Sequence, residues 1–205
     1  MFIVTILVFL VVCHQVHCFY GLIGGIGSGK SVAAQLFAEQ NWVVADVDVF
    51  NRTCLLLPQV QNKIRKRWSD LPHEASLQRL WLRRQLLTNE GDREFLETLL
   101  RPMVQQQAMD WATQQDQPKI LQLPWIKGVD LQSYGFTGMI HITASLAVRQ
   151  QRLKQKGWSK EEIDCMMMLQ QQPKVSYDHT LINEGSLTQL KEQIVLLSHK
   201  IIGND

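Results

Sequence analysis

The residues Gly24-Gly25-Ile26-Gly27-Ser28-Gly29-Lys30-Ser31 satisfy the pattern G-x-x-x-x-G-K-[ST], and they constrain the chain more than any other feature. Glycines at this density let the backbone curl until successive N–H groups converge, which makes a cradle for an anion. The pattern has this meaning only between a strand and a helix, and both are predicted. Val16 to Ile23 is a short apolar run ending in glycines, as a buried parallel strand should be. Ser31 to Gln40 follows, with Val32, Ala33, Leu36 and Phe37 on one helical face. The helix beginning near Lys30 adds the positive end of its dipole. Gly25, Ile26, Gly27, Ser28, Gly29, Lys30, Ser31 and Val32 are therefore candidates to hold the phosphates of a nucleoside triphosphate. Lys30 is expected to reach the β and γ phosphates and the Ser31 hydroxyl to ligate Mg²⁺. The competing reading, a glycine-rich turn that binds nothing, has the complete pattern and its context against it.

Trp42-Val-Val-Ala45 reads as a second buried strand with Asp46 at its carboxyl end, completing strand, turn, helix, strand. In an open α/β sheet the carboxyl ends of the strands face the ligand crevice. A carboxylate there can accept a proton from an attacking hydroxyl, so Asp46 joins Lys30 as a candidate catalytic residue. The plainer alternative is that Asp46 caps a loop. Asp48 is a candidate for polar contacts or metal assistance. The chain is too short for motor or AAA-type modules, and the absence of NKxD weighs against a GTPase.

Residues from about 59 to 117 carry apolar positions at helical spacing, with Pro102 expected to start or kink a helix. Lys119 to Leu123 and Met139 to Ile142 read as further strands, and Ser145 to Lys156 as a basic helix. Ser159 with Glu162, and Ser186 with Gln189, are capping-box signatures.

The 205 residues suit one domain, or one core with a small appended subdomain. Apolar residues at 45% and charged residues at 20% exclude a disordered tail, a fibre or a multi-pass membrane protein. A net charge of +2 advertises no broad nucleic-acid surface, so no nucleic-acid partner is expected. Cys13, Cys18, Cys54 and Cys165 include no CxxC pair and read as reduced thiols of a cytoplasmic protein. A metal site at Cys13, His14, His17 and Cys18 matches no four-ligand zinc spacing. Residues 1–15 form an apolar extension too short to span a bilayer, without the basic start or cleavage site of a secretory signal. A cryptic anchor, an extra buried strand and a mis-assigned start remain, and the third is favoured because the βαβ unit needs nothing before Val16. No stable membrane association is expected.

Further along, the residues support a resemblance. Gly21-Leu-Ile-Gly-Gly-Ile-Gly-Ser-Gly-Lys-Ser31, Asp46-Val-Asp48 with Arg52, Leu77-Gln78-Arg79, Leu99-Leu-Arg-Pro102, Gln170 and Tyr177-Asp178-His-Thr-Leu-Ile-Asn183 follow one another in the order of the dephospho-coenzyme A kinase family. The resemblance runs from about residue 19 to the C-terminus. It implies a P-loop kinase of α/β class: a parallel sheet flanked by helices, a helical acceptor-binding subdomain at about 59–117, and a lid at about 149–175, within a domain spanning 16–205. It implies ATP and Mg²⁺ as cofactors, dephospho-coenzyme A as the substrate, and a monomer or small homo-oligomer. By the same resemblance Arg152 and Asn183 would bind the nucleotide, and Asp48, Arg52, Arg79 and Arg83 the acceptor, with Arg84 a further candidate; guanidinium suits bidentate phosphate contact.

Four positions depart from the family pattern, one of them Arg101, which replaces a histidine before Pro102. Gln122 replaces an acidic residue at a strand end, Gly128 a glutamate, and Cys165-Met-Met-Met168 stands where an arginine is usual, near Met166. A neutral amide keeps hydrogen bonding but lacks the charge that positions a Mg²⁺-bound water. Arg149, Arg152, Lys154, Lys156 and Lys160 are the cations able to replace the lid arginine, and the Met run reads as packing. These departures keep two alternatives in view: a nucleotide-binding paralogue with little kinase activity, and a kinase for another small acceptor.

Overall fold

A computed structural model describes residues 18–124, 134–170 and 176–203. The expectations for residues 1–15, for Cys13, His14 and His17, and for Gly128 lie outside the described residues. The chain divides into two compact units: one takes the chain up to Asp46 and from Met109 onward, the other is Val47–Ala108.

The first unit is a five-stranded parallel sheet of β1 (Phe19–Ile23), β2 (Val43–Asp46), β3 (Lys119–Gln122), β4 (Gly138–Thr143) and β5 (His179–Ile182), in the order β2-β3-β1-β4-β5. β1 begins at Phe19, because Cys18 turns the chain at φ +53°. The side chains of β1 alternate between two covered faces, as a parallel sheet requires. Tyr20 and Leu22 join Ile120, Ile140, Ile142 and Leu181 in a core closed by α1 (Lys30–Ala38) and a C-terminal helix (Leu187–Ile202). Phe19 faces the other way, 4.7 Å from Phe136 and 6.1 Å from Trp111 between ring centres. Gly21 lies on that second face, where a Cβ would stand 2.5 Å from the Met139 sulfur. Fully burying one such Leu or Ile side chain contributes about 1.5–3 kcal/mol, so this double-faced core holds the sheet and its loops in place.

The second unit is built of α2 (Val47–Leu55), α3 (Pro58–Arg67), α4 (Ala75–Thr88) and the greater part of α5 (Glu90–Thr113). Helix therefore begins at Val47, earlier than the periodicity indicates. Pro102 lies inside α5 and does not start it. A helix already propagated on both sides tolerates the one hydrogen bond that proline cannot donate. Trp68 anchors this unit, edge-on to Phe95 (5.5 Å, 90°) and Trp81 (5.8 Å). Asp92, 3% exposed, accepts from Arg67 at 2.9 Å and Gln85 at 2.8 Å, and these bonds hold its carboxyl below the usual range.

After β4 come α6 (Leu146–Gln155) and α7 (Lys160–Leu169), followed by β5 and α8 (Leu187–Ile202). Ser159 with Glu162 and Ser186 with Gln189 form complete capping boxes. Of the Met run on α7, Met166 and Met167 are half-buried and Met168 is 80% exposed, so the run is only partly packing. Among the described residues, no helix is long and apolar enough to cross a membrane.

Candidate active site

The loop between β1 and α1 turns on two glycines in the left-handed region, Gly27 at φ +77° and Gly29 at φ +98°. Gly29 is also the N-cap of α1, and it supplies no side-chain hydrogen bond; the first turn of that helix carries no acidic residue. Most helices satisfy their first N–H groups with a Ser, Thr, Asp or Asn side chain. A helix start with no side-chain cap and no acidic residue presents its positive dipole end in a form that suits an anion. Ser28 is 1% exposed, and its backbone N–H closes the turn onto the Gly25 carbonyl at 3.0 Å.

Side chains from distant parts of the first unit fasten this loop. Asn183, just past β5 and 7% exposed, donates from Nδ2 to the Ser28 carbonyl at 2.8 Å. Arg152 of α6 donates to the Asn183 carbonyl at 3.0 Å and to its Oδ1 at 3.1 Å, with longer 3.5 Å contacts to the Gly27 and Ser28 carbonyls. Arg149, one turn earlier, donates from Nε to the Ile26 carbonyl at 2.7 Å. Burial draws its guanidinium below the usual arginine range. The Ile26 N–H donates to Oε1 of Gln170 at 2.6 Å. His141 of β4 stacks on Tyr177 (4.4 Å between rings, 23° apart), and burial, then the Arg149 charge, holds its imidazole below the usual range.

Asp46 ends β2 and is paired in register with Gln122, which ends β3. Gln122 Oε1 is buried with no hydrogen-bond partner among the described residues. Lys30 Nζ donates to the Leu123 carbonyl, one residue past β3. Ser31 is an exposed residue in the first turn of α1. The Ser31 hydroxyl on α1, like the Asp46 carboxylate and Gln122 amide at the ends of β2 and β3, is an oxygen donor of the hard kind that Mg²⁺ takes. The Ile26 N–H points out of the loop at an oxygen acceptor, the Gln170 side chain.

Of the residues singled out in the sequence, Gly25 to Ser31, Arg152 and Asn183 gather around the loop in one unit. Val32 stands further along α1, 42% exposed. Asp48, Arg52, Arg79 and Arg83 belong to the Val47–Ala108 unit: Asp48 in the first turn of α2, Arg52 in its last turn and exposed, Arg79 exposed on α4, and Arg83 one helical turn after it. Of the basic residues at 149–160, Arg149 and Arg152 reach the loop, while Lys154, Lys156 and Lys160 are exposed. Sequence reasoning missed the seat of Gln170. Its signal was its place in the family pattern, which no spacing rule connects to a loop 144 residues away.

Comparison with known proteins gives the same frame. The chain is 26% identical over 189 residues to a dephospho-CoA kinase of Idiomarina loihiensis, covering 89% of this chain and 94% of that one. It is also 26% identical to a dephospho-CoA kinase of Acinetobacter baylyi, covering 90% and 98%. A solved structure from Thermus thermophilus superposes with a TM-score of 0.73 at 20% identity, over 90% of this chain and 97% of that one. Dephospho-CoA kinase from Campylobacter jejuni gives 0.58 at 14% identity, over 91% and 98%; at such identities the likeness concerns the fold. The dephospho-CoA kinase family model matches residues 18–189, and the chain belongs to that family.

Proposed function

We propose that this chain transfers the γ-phosphoryl group of ATP to the ribose 3′-hydroxyl of dephospho-coenzyme A, giving coenzyme A and ADP, in the last step of coenzyme A synthesis. What carries the reading is an intact phosphate loop inside a chain matched to the family from residue 18 to residue 189. The loop N–H groups and Lys30 bind and orient the β and γ phosphates. Arg149 and Arg152 bring positive charge over the group in flight, where developing negative charge is best compensated by fixed donors. Asn183 holds the loop and Arg152 in register. Asp46 accepts the proton of the attacking hydroxyl as the new oxygen–phosphorus bond forms and the bond to ADP breaks. Asp48, Arg52, Arg79 and Arg83 are assigned to the acceptor. Ser31 would hold Mg²⁺, which when bound neutralises phosphate charge. Among the described residues Cys18, Cys54 and Cys165 form no disulfide, which suits the cytoplasm, where we place the protein.

The test is ADP formation dependent on dephospho-coenzyme A. Asp46→Asn is expected to lower kcat by about 10²–10⁴-fold, the usual worth of a general base, with ATP affinity within about threefold. Absence of acceptor-dependent turnover in the wild type, with ATP still bound, refutes the kinase reading. It supports instead a nucleotide-binding role, which the neutral Gln122 beside Asp46 would explain.

A further inference from the structure

One residue of the phosphate loop is gripped on both sides. The carbonyl of Ile26 accepts from Arg149 of α6 at 2.7 Å, and its N–H donates to Gln170, the C-cap of α7, at 2.6 Å. The two helices that follow β4 thus close on a single residue through opposite chemistry. Arg149 supplies a cation, which a bound polyphosphate would retain. Gln170 supplies an oxygen acceptor, which a polyphosphate would replace.

We propose that Gln170 is a displaceable latch: its amide oxygen stands in for a phosphate oxygen at the Ile26 N–H and ties the end of α7 to the loop until nucleotide arrives. The proposal rests on reading the loop as a nucleotide site, and it goes beyond that reading by making the glutamine a competitor of the triphosphate. The strengths are ordered correctly for an exchange. A hydrogen bond from an N–H to an anionic oxygen is about twice as strong as one to a neutral amide, so a phosphate wins the donor and the latch is released. A carboxylate at 170 would invert the balance, holding the amide more strongly and repelling the incoming anion. An alanine would leave the amide without a competitor.

The experiment measures binding of a non-hydrolysable ATP analogue with magnesium, by calorimetry, to the full chain and to Gln170→Ala and Gln170→Glu. The alanine variant is expected to bind about 3- to 10-fold more tightly, the worth of one neutral hydrogen bond no longer displaced. The glutamate variant is expected to bind at least as much more weakly. Trypsin, acting on the nucleotide-free proteins, should cut at the exposed Lys154, Lys156 and Lys160 several-fold faster in Gln170→Ala, because α7 is no longer tied down. A residue that only braces the loop would make both variants bind more weakly. Weaker or unchanged binding in Gln170→Ala therefore overturns the latch while leaving the site reading intact. Failure of the wild type to bind the analogue overturns both.

Discussion

Gly29→Ala is the sharpest probe of how this loop is held. An alanine at position 29 must adopt φ +98°, ψ +20°, a left-handed conformation that costs an L-residue about 1–2 kcal/mol. Its Cβ would also overlap Nδ2 of Asn183. Relieving the overlap means moving Asn183, which breaks the 2.8 Å bond to the Ser28 carbonyl and the 3.1 Å bond from Arg152. Leaving the Ser28 carbonyl with only its longer 3.5 Å contact from Arg152, and Arg152 without Oδ1, costs about 1–3 kcal/mol. The two contributions sum to about 2–5 kcal/mol, a fall in Tm of about 4–20 °C for a chain of this size. Because they have separate causes, a double-mutant cycle with Asn183→Ala resolves them. In the Asn183→Ala background only the dihedral cost remains, so Gly29→Ala should cost about 1–2 kcal/mol there and the coupling energy should be about 1–3 kcal/mol. Thermal unfolding of the four proteins by far-UV circular dichroism measures all of these quantities. A coupling below about 0.5 kcal/mol refutes the steric argument, because distant independent sites behave in that way.

Two further perturbations follow from the same structure. Ser186→Ala removes the oxygen that accepts the Gln189 N–H at the start of α8, and should cost about 1 kcal/mol, read as a Tm lower by about 2–4 °C. His141 and His179 are both held below the ordinary imidazole range, first by burial and then by the Arg149 and Lys200 charges, with Asp178 partly opposing at His179. The unfolded chain therefore binds more protons below about pH 6.5, so stability is complete above that pH and falls as the pH drops toward the lower folded values. Tm should decrease between about pH 7.5 and pH 5.5. His141→Gln should flatten that decrease, and an unchanged slope would count against the assignment.

Much of this architecture was legible because local pattern and tertiary role coincide. The run Phe19–Ile23 is apolar on both faces because both faces of the central strand are covered, and the glycines after it mark the turn. The capping boxes at Ser159 and Ser186 are local chemistry and appear where their spacing puts them. β5 was illegible for the opposite reason. His179-Thr-Leu-Ile182 is an edge strand with only Leu181 buried, so no apolar run or clean alternation announces it. The helix Val47–Leu55 opens with β-branched and polar residues of modest helical propensity, and buries only Val47 and Cys54. In the site, the loop and Asp46 are encoded by contiguous residues. The seats of Arg149, Arg152 and Gln170 are fixed by how α6 and α7 pack, and composition alone makes several basic lid residues equivalent.

The position of β1 in the sheet has a consequence for biosynthesis. The first described strand is hydrogen-bonded on one side to residues 119–122 and on the other to residues 138–141. At about 5–20 residues per second, the ribosome takes roughly 5–20 s to make the hundred or so residues separating it from its first partner. Throughout that interval an apolar segment with two unpaired edges is carried on the nascent chain, the kind of segment that associates with other strands. Asn183 arrives later still, so the tie that fastens the phosphate loop is made only when the chain is nearly complete. Truncated chains ending before β4 are thus expected to depend on chaperones and to accumulate as aggregates.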